Sequence, residues 1–147
     1  MILNDVLKSS KAVTELSQKH LSDFAAAYAI ANLKKAVDSD VEFFVNEEKK
    51  MAEKYAKKDE NGKPMISQDG RITFVDIKDA NSFNEEHIKL ANTESTNVHR
   101  ITVNPKCFID SKEIPTPEQI LLLEPVVAFS IPKESITPEV EVMPPRA

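Results

Sequence analysis

The sequence predicts an α+β protein: one long amphipathic helix, with a short N-terminal helix before it, packed on a small, mostly antiparallel sheet. Three observations carry that expectation. From Ser22 to Asn61 there is no glycine or proline, and apolar side chains recur at helical spacing. Short apolar alternations separated by turn residues follow. Most of the nine prolines then fall after Val103, so a charged, helical first half gives way to an extended, punctuated second half.

A chain of 147 residues fits one domain and is long enough to bury a core without disulfides or metals. We expect an α+β domain over residues 1–133 and a proline-rich tail or arm over 134–147. Hydrophobic residues at 41% and charged residues at 29% place the chain among globular proteins rather than disordered ones.

The first helix is expected to be capped by Asn4, with Asp5 in its first turn. Val6, Leu7, Val13 and Leu16 give it a thin apolar face that runs out near residue 18. Ser22 is then read as the cap of the long helix, which extends to about Lys58. Its apolar residues are Phe24, Tyr28, Ala31, Leu33, Val37, Val41, Phe44, Met51 and Tyr55, and the later spacings are close to heptad. A helix of that length spans about 50 Å. The short first helix cannot cover the whole stripe, so either the second half of the chain folds back along it or another subunit does.

Asp59-Glu60-Asn61-Gly62 is read as the helix stop, with Gly62 as its left-handed residue. A hairpin is expected next, Met65–Gln68 against Arg71–Val75, closed by a two-residue Asp69-Gly70 turn. Ser82 to Glu85 has capping-box spacing and is expected to open a short helix to about Asn92. Val98–Val103 alternates as a strand, with His99, Ile101 and Val103 on one face, and Cys107–Ile109 is expected to extend the sheet. Thr116-Pro117-Glu118-Gln119 is a helix start with a cap, a proline at the first helical position and a box-closing glutamine. Ile120–Leu123 are expected to be buried, Pro125 to stop that helix, and Val126–Ile131 to form a last strand.

Composition excludes several functions. Two glycines, Gly62 and Gly70, leave nothing for a phosphate-cradling loop. A net charge of −5 with three scattered arginines disfavours a nucleic-acid partner. No stretch approaches the ~20 apolar residues that span a bilayer, so no membrane partner is expected. The N-terminus has no basic segment followed by an apolar run and is not read as a signal peptide. Cys107 is the sole cysteine, which rules out an intramolecular disulfide and fits a reducing compartment.

The order of these pieces has a resemblance. A charged helix end reading Glu53-Lys54-Tyr55-Ala56-Lys57-Lys58-Asp59-Glu60-Asn61-Gly62-Lys63-Pro64 precedes a hairpin and a short helix. A loop around Asn92-Thr93-Glu94, a strand, and Thr116-Pro117-Glu118-Gln119-Ile120 running to Leu123-Glu124-Pro125 come after it. Over roughly residues 1–130 this resembles a family of small bacteriophage proteins of unknown function, encoded among the virion morphogenesis genes of tailed phages. The resemblance implies a phage context and brings no catalytic residues with it.

No catalytic, cofactor-binding or metal-binding residues are assigned. His20, His87 and His99 lack metal-ligand spacing. His20 is read as solvated, His99 as half-buried packing, and Cys107 as a buried thiol rather than the nucleophile of a Cys107–His99 pair. Asp76, Asp79, Glu85 and Glu86 lack the spacing of a calcium loop. Asp38, Asp40, Glu42 and Glu47 are read as the wet face of the long helix. The candidate interface is Val37, Val41, Phe43, Phe44, Met51 and Tyr55, with Phe43 pointing off the stripe as a contact aromatic. The expected function is therefore non-enzymatic: a bacteriophage protein acting by protein–protein contact in virion assembly or structure. Its partners would be itself or other virion proteins, with no cofactor and no small-molecule substrate. It would be found in the host cytoplasm during assembly, or in the virion. The alternative is a phage-encoded regulator that binds a host protein.

Overall fold

The computed structural model describes residues 1–130. The chain forms α1 (Leu3–Ser17), α2 (Phe24–Tyr55), α3 (Ile77–Ala91), β1 (Ile101–Val103), α4 (Lys106–Asp110), α5 (Pro117–Leu123) and β2 (Val127–Phe129). Helices make up 57% of the described residues. The residues expected in the tail, 134–147, and the last of the expected strand, Ile131, lie outside the described residues.

The expectation of a mostly antiparallel sheet is overturned. Among the described residues the sheet is two-stranded and parallel, with Ile101 opposite Val127 and Val103 opposite Phe129. The reason is the connection. Between the strands the chain runs through α4 and α5, and a helical crossover returns the second strand in the direction of the first. Cys107–Ile109 belong to α4, not to the sheet. Pro105 has a helical φ of −57°, and the Asn104 side chain accepts the Lys106 N–H at 2.9 Å, so a helical turn starts where alternation suggests a strand.

The long helix is present, 32 residues from Phe24 to Tyr55, capped by Asp23 rather than Ser22. The Asp23 carboxylate accepts the N–H groups of Ala25 and Ala26. Its N-terminal half packs on α1 and the sheet. The core there joins Val6, Val13 and Leu16 of α1, Ile30, Leu33 and Val37 of α2, and Val103, Phe108, Leu123 and Val127. The C-terminal half is covered by α3, which folds back along it: Phe44 meets the His87 ring edge-on at 5.5 Å, and Tyr55 Oη donates to Glu86 Oε1 at 2.8 Å. The chain itself therefore covers the far half of the stripe.

Several boundaries differ from expectation for local reasons. α1 starts at Leu3, without a side-chain cap, because Ile2 bridges Glu94 and the Leu3 N–H donates to Thr93 O at 2.8 Å. α2 stops at Tyr55, where Ala56 turns extended and pairs with Phe74; Gly62, at φ 77°, serves the next turn instead. The expected hairpin is reduced to a single antiparallel bridge, Ile66 to Ile72. Its loop has three residues, closed by Ser67 N–H to Arg71 O with Gly70 left-handed at φ 85°, the bulged turn that follows when a type I turn needs one more residue. α3 opens at Ile77, five residues before Ser82, because Asp76 caps Asp79 N–H at 2.9 Å.

α5 begins at Pro117 with the full capping box: Thr116 Oγ1 accepts from Gln119 N–H, and Gln119 Oε1 accepts from Thr116 N–H. Of its four apolar residues only Leu123 is fully buried; Ile120 and Leu121 are exposed, since a helix of two turns shows the core one side only.

Candidate functional site

The structure separates the candidate interface residues. Val37, Phe44 and Met51 are buried, Val41 is packed against the core from a half-buried position, and Tyr55 is half-buried over Glu86. Phe43 alone stands out, 49% exposed. The buried stripe of α2 starts in a different register from the one expected. Ile30 is the buried residue there, while Phe24 and Tyr28 are 80% and 61% exposed and stack on each other with ring centroids 6.2 Å apart.

The titratable candidates fall into separate roles. His20 is exposed, and so is His99, against the expectation of half-buried packing: the strand starts only at Ile101, which leaves His99 off the sheet. His87 lies between two aromatics, stacked on Phe83 and edge-on to Phe44, and its Nε2 is 2.9 Å from Glu48 Oε2. Cys107 is buried in α4. Loss of solvent around it and the Asp23 carboxylate push its thiol up from the ordinary value, which disfavours the thiolate a nucleophile needs. Asp76 caps α3. Glu86 accepts from Tyr55 Oη and Lys54 Nζ, and these two donors lower its carboxyl. Among the described residues no three metal-capable side chains converge. Among the described residues no helix is long and apolar enough to cross a membrane.

The reading of Asp40 as part of the wet face is also overturned. It is 4% exposed, the one charged residue in the described core. Its position explains this: three residues after Val37 and four before Phe44, it occupies the buried stripe. Its carboxylate accepts from Ser95 Oγ and from Asn97 Nδ2, the latter at 2.9 Å. Ser95 Oγ also accepts the Val98 N–H at 3.1 Å, so the loop after α3 is pinned to the middle of α2. Beside it is a pocket of about 340 Å³ that Asp40, Phe43, Leu3 and the 93–97 loop line.

A second cavity has different chemistry. Pro105, Phe108, Ile109, Ile114, Ile120 and Phe129 line an almost wholly apolar groove of about 280 Å³ between α4, α5 and β2. Three of its walls, Ile109, Ile114 and Ile120, are 58%, 63% and 41% exposed. Large apolar side chains left in water around one concave floor are the mark of a contact surface rather than of scattered surface chance. The groove lies at the same end of the molecule as the Phe24–Tyr28 pair, because Ser22 N–H at the entry to α2 donates to Ser111 Oγ at the exit of α4 at 3.0 Å.

Neither feature was found from the sequence. Ile114 stands beside Pro115 outside any periodic segment, and Ile109 reads as the end of a strand, so no spacing marks the groove they share. Asp40 carries no signal of its own, because an acid on a charged helix reads as solvated. Comparison of the chain with protein-family models, with curated proteins and with solved structures finds no match.

Proposed function

We propose that this chain is a non-enzymatic protein that works by contact with other proteins, and that its setting is the assembly or structure of a tailed-phage virion. The observation that carries the contact reading is the apolar groove with its exposed isoleucine walls. The buried, proton-holding Cys107 and the dispersed histidines give no competing chemistry. The phage setting rests on the resemblance of the 53–64 and 116–125 segments.

The partner is first of all a second copy of the chain. Each molecule carries an exposed stacked aromatic pair, Phe24 and Tyr28, and a groove of a size to receive one ring. Insertion of one into the other makes either a reciprocal two-fold pair or, if the copies follow head to tail, a ring or an open chain. Aromatic anchors seated in apolar pockets supply most of the binding energy at such contacts.

Mass spectrometry of purified phage particles tests the setting. Stoichiometric recovery of the chain from particles supports a structural place. Its absence from particles, with a host protein bound to the expressed chain, would replace this reading by that of a host-directed regulator.

A further inference from the structure

We infer that the pocket beside Asp40 is a receptor for a basic side chain, a lysine or arginine presented by a partner protein. Four observations converge on it. Asp40 is almost completely buried, yet its two hydrogen-bond donors, Ser95 Oγ and Asn97 Nδ2, are both neutral. A carboxylate offers about four acceptor positions, and only two are used. Among the described residues no cation forms an ion pair with it. A carboxylate held only by neutral donors gains from a cation on its open side, and that side is the pocket that Asp40 lines.

The rest of the pocket suits such a guest. Its volume of about 340 Å³ accommodates an alkyl chain with a cationic head. Phe43, half-exposed, and Leu3 line the pocket, an aromatic ring for a cation to pack on and apolar surface for its stem. A bare metal ion is not the guest, since no group of three metal-capable ligands is present among the described residues. This site is separate from the apolar groove, so it stands whether or not the groove binds a second copy.

Titration of the full chain followed by two-dimensional NMR tests the inference, with N-acetyl-lysine methylamide, N-acetyl-arginine methylamide, the uncharged N-acetyl-norleucine methylamide and spermidine as probes. Shifts confined to residues around Ser39–Phe43 and Thr93–Asn97 are expected with the two basic amides, at least fivefold tighter than with the norleucine amide. Asp40→Asn should weaken them at least tenfold. Phe43→Ala, at an exposed position that leaves the core intact, should weaken them about threefold and decides the matter if Asp40→Asn does not fold. Equal binding of the norleucine amide, no shifts at the pocket, or full binding by Phe43→Ala together with Asp40→Asn would overturn the inference. Tighter binding of spermidine than of either amide would overturn the assignment to a protein side chain.

Discussion

Asn97 Nδ2 donates to Asp40 Oδ1 at 2.9 Å across 57 residues of chain, and with Ser95 it holds the loop after α3 to the middle of α2. This places an acid on a stripe otherwise built of Ile30, Leu33, Val37 and Phe44. Removing the acceptor breaks two hydrogen bonds from part-buried donors to a carboxylate, each worth about 1–2 kcal/mol. Asp40→Ala is expected to destabilise by about 2–4 kcal/mol, and Asp40→Asn, which keeps one acceptor, by clearly less. Urea unfolding of both variants measures the difference; equal effects would mean that the two hydrogen bonds contribute little.

Phe43 and Phe44 are neighbours with opposite environments, 49% and 5% exposed. Phe44→Ala should cost about 3–5 kcal/mol through the cavity left against His87 and α3. Phe43→Ala should stay within about 0.5 kcal/mol, as exposed positions do. Thermal unfolding followed by circular dichroism separates them. A large loss in Phe43→Ala would show that its ring packs internally.

The Tyr55–Glu86 hydrogen bond and the Lys54–Glu86 ion pair hold the Glu86 carboxyl below its ordinary value of 4.5. A depressed folded-state value means that the contribution is fully present above pH 4.5 and is lost as pH falls through the lowered value. The far half of α2 and α3 should therefore loosen at pH below 4.5, ahead of the core around α1. Carboxyl-detected NMR across the acid range checks this, and Tyr55→Phe should move the Glu86 titration upward. An unchanged titration in that variant would remove Tyr55 as the cause.

Cys107 is buried, and its thiol is pushed up by loss of solvent and by Asp23. Alkylation by iodoacetamide at neutral pH should be at least about tenfold slower in the native protein than in urea, because the thiolate is the reacting form. Comparable rates would mean that α4 opens readily.

How much of this was legible depended on distance along the chain. The capping box at Thr116 and Gln119 was readable because both partners lie within one turn. The body of α2 was readable because Leu33, Val37, Phe44 and Met51 repeat at helical spacing. The strand direction was not, since the pairing of Ile101 with Val127 depends on α4 and α5 between them. Cys107–Ile109 read as a strand in isolation, whereas Asn104 and Pro105 open a helix there. The candidate site was the least legible part. Asp40 shows its role only against Ser95 and Asn97, and the groove joins Ile109, Ile120 and Phe129 from three elements with Ile114 from the loop between α4 and α5.

Association through the groove is the central claim, and light scattering across a concentration series measures it most directly. We expect a mass that rises with concentration to a multiple of 16.5 kDa. Ile114→Glu and Tyr28→Glu should each return it to 16.5 kDa without loss of helical signal. A mass of 16.5 kDa at every concentration, or a multiple unchanged by both substitutions, would contradict association through this groove.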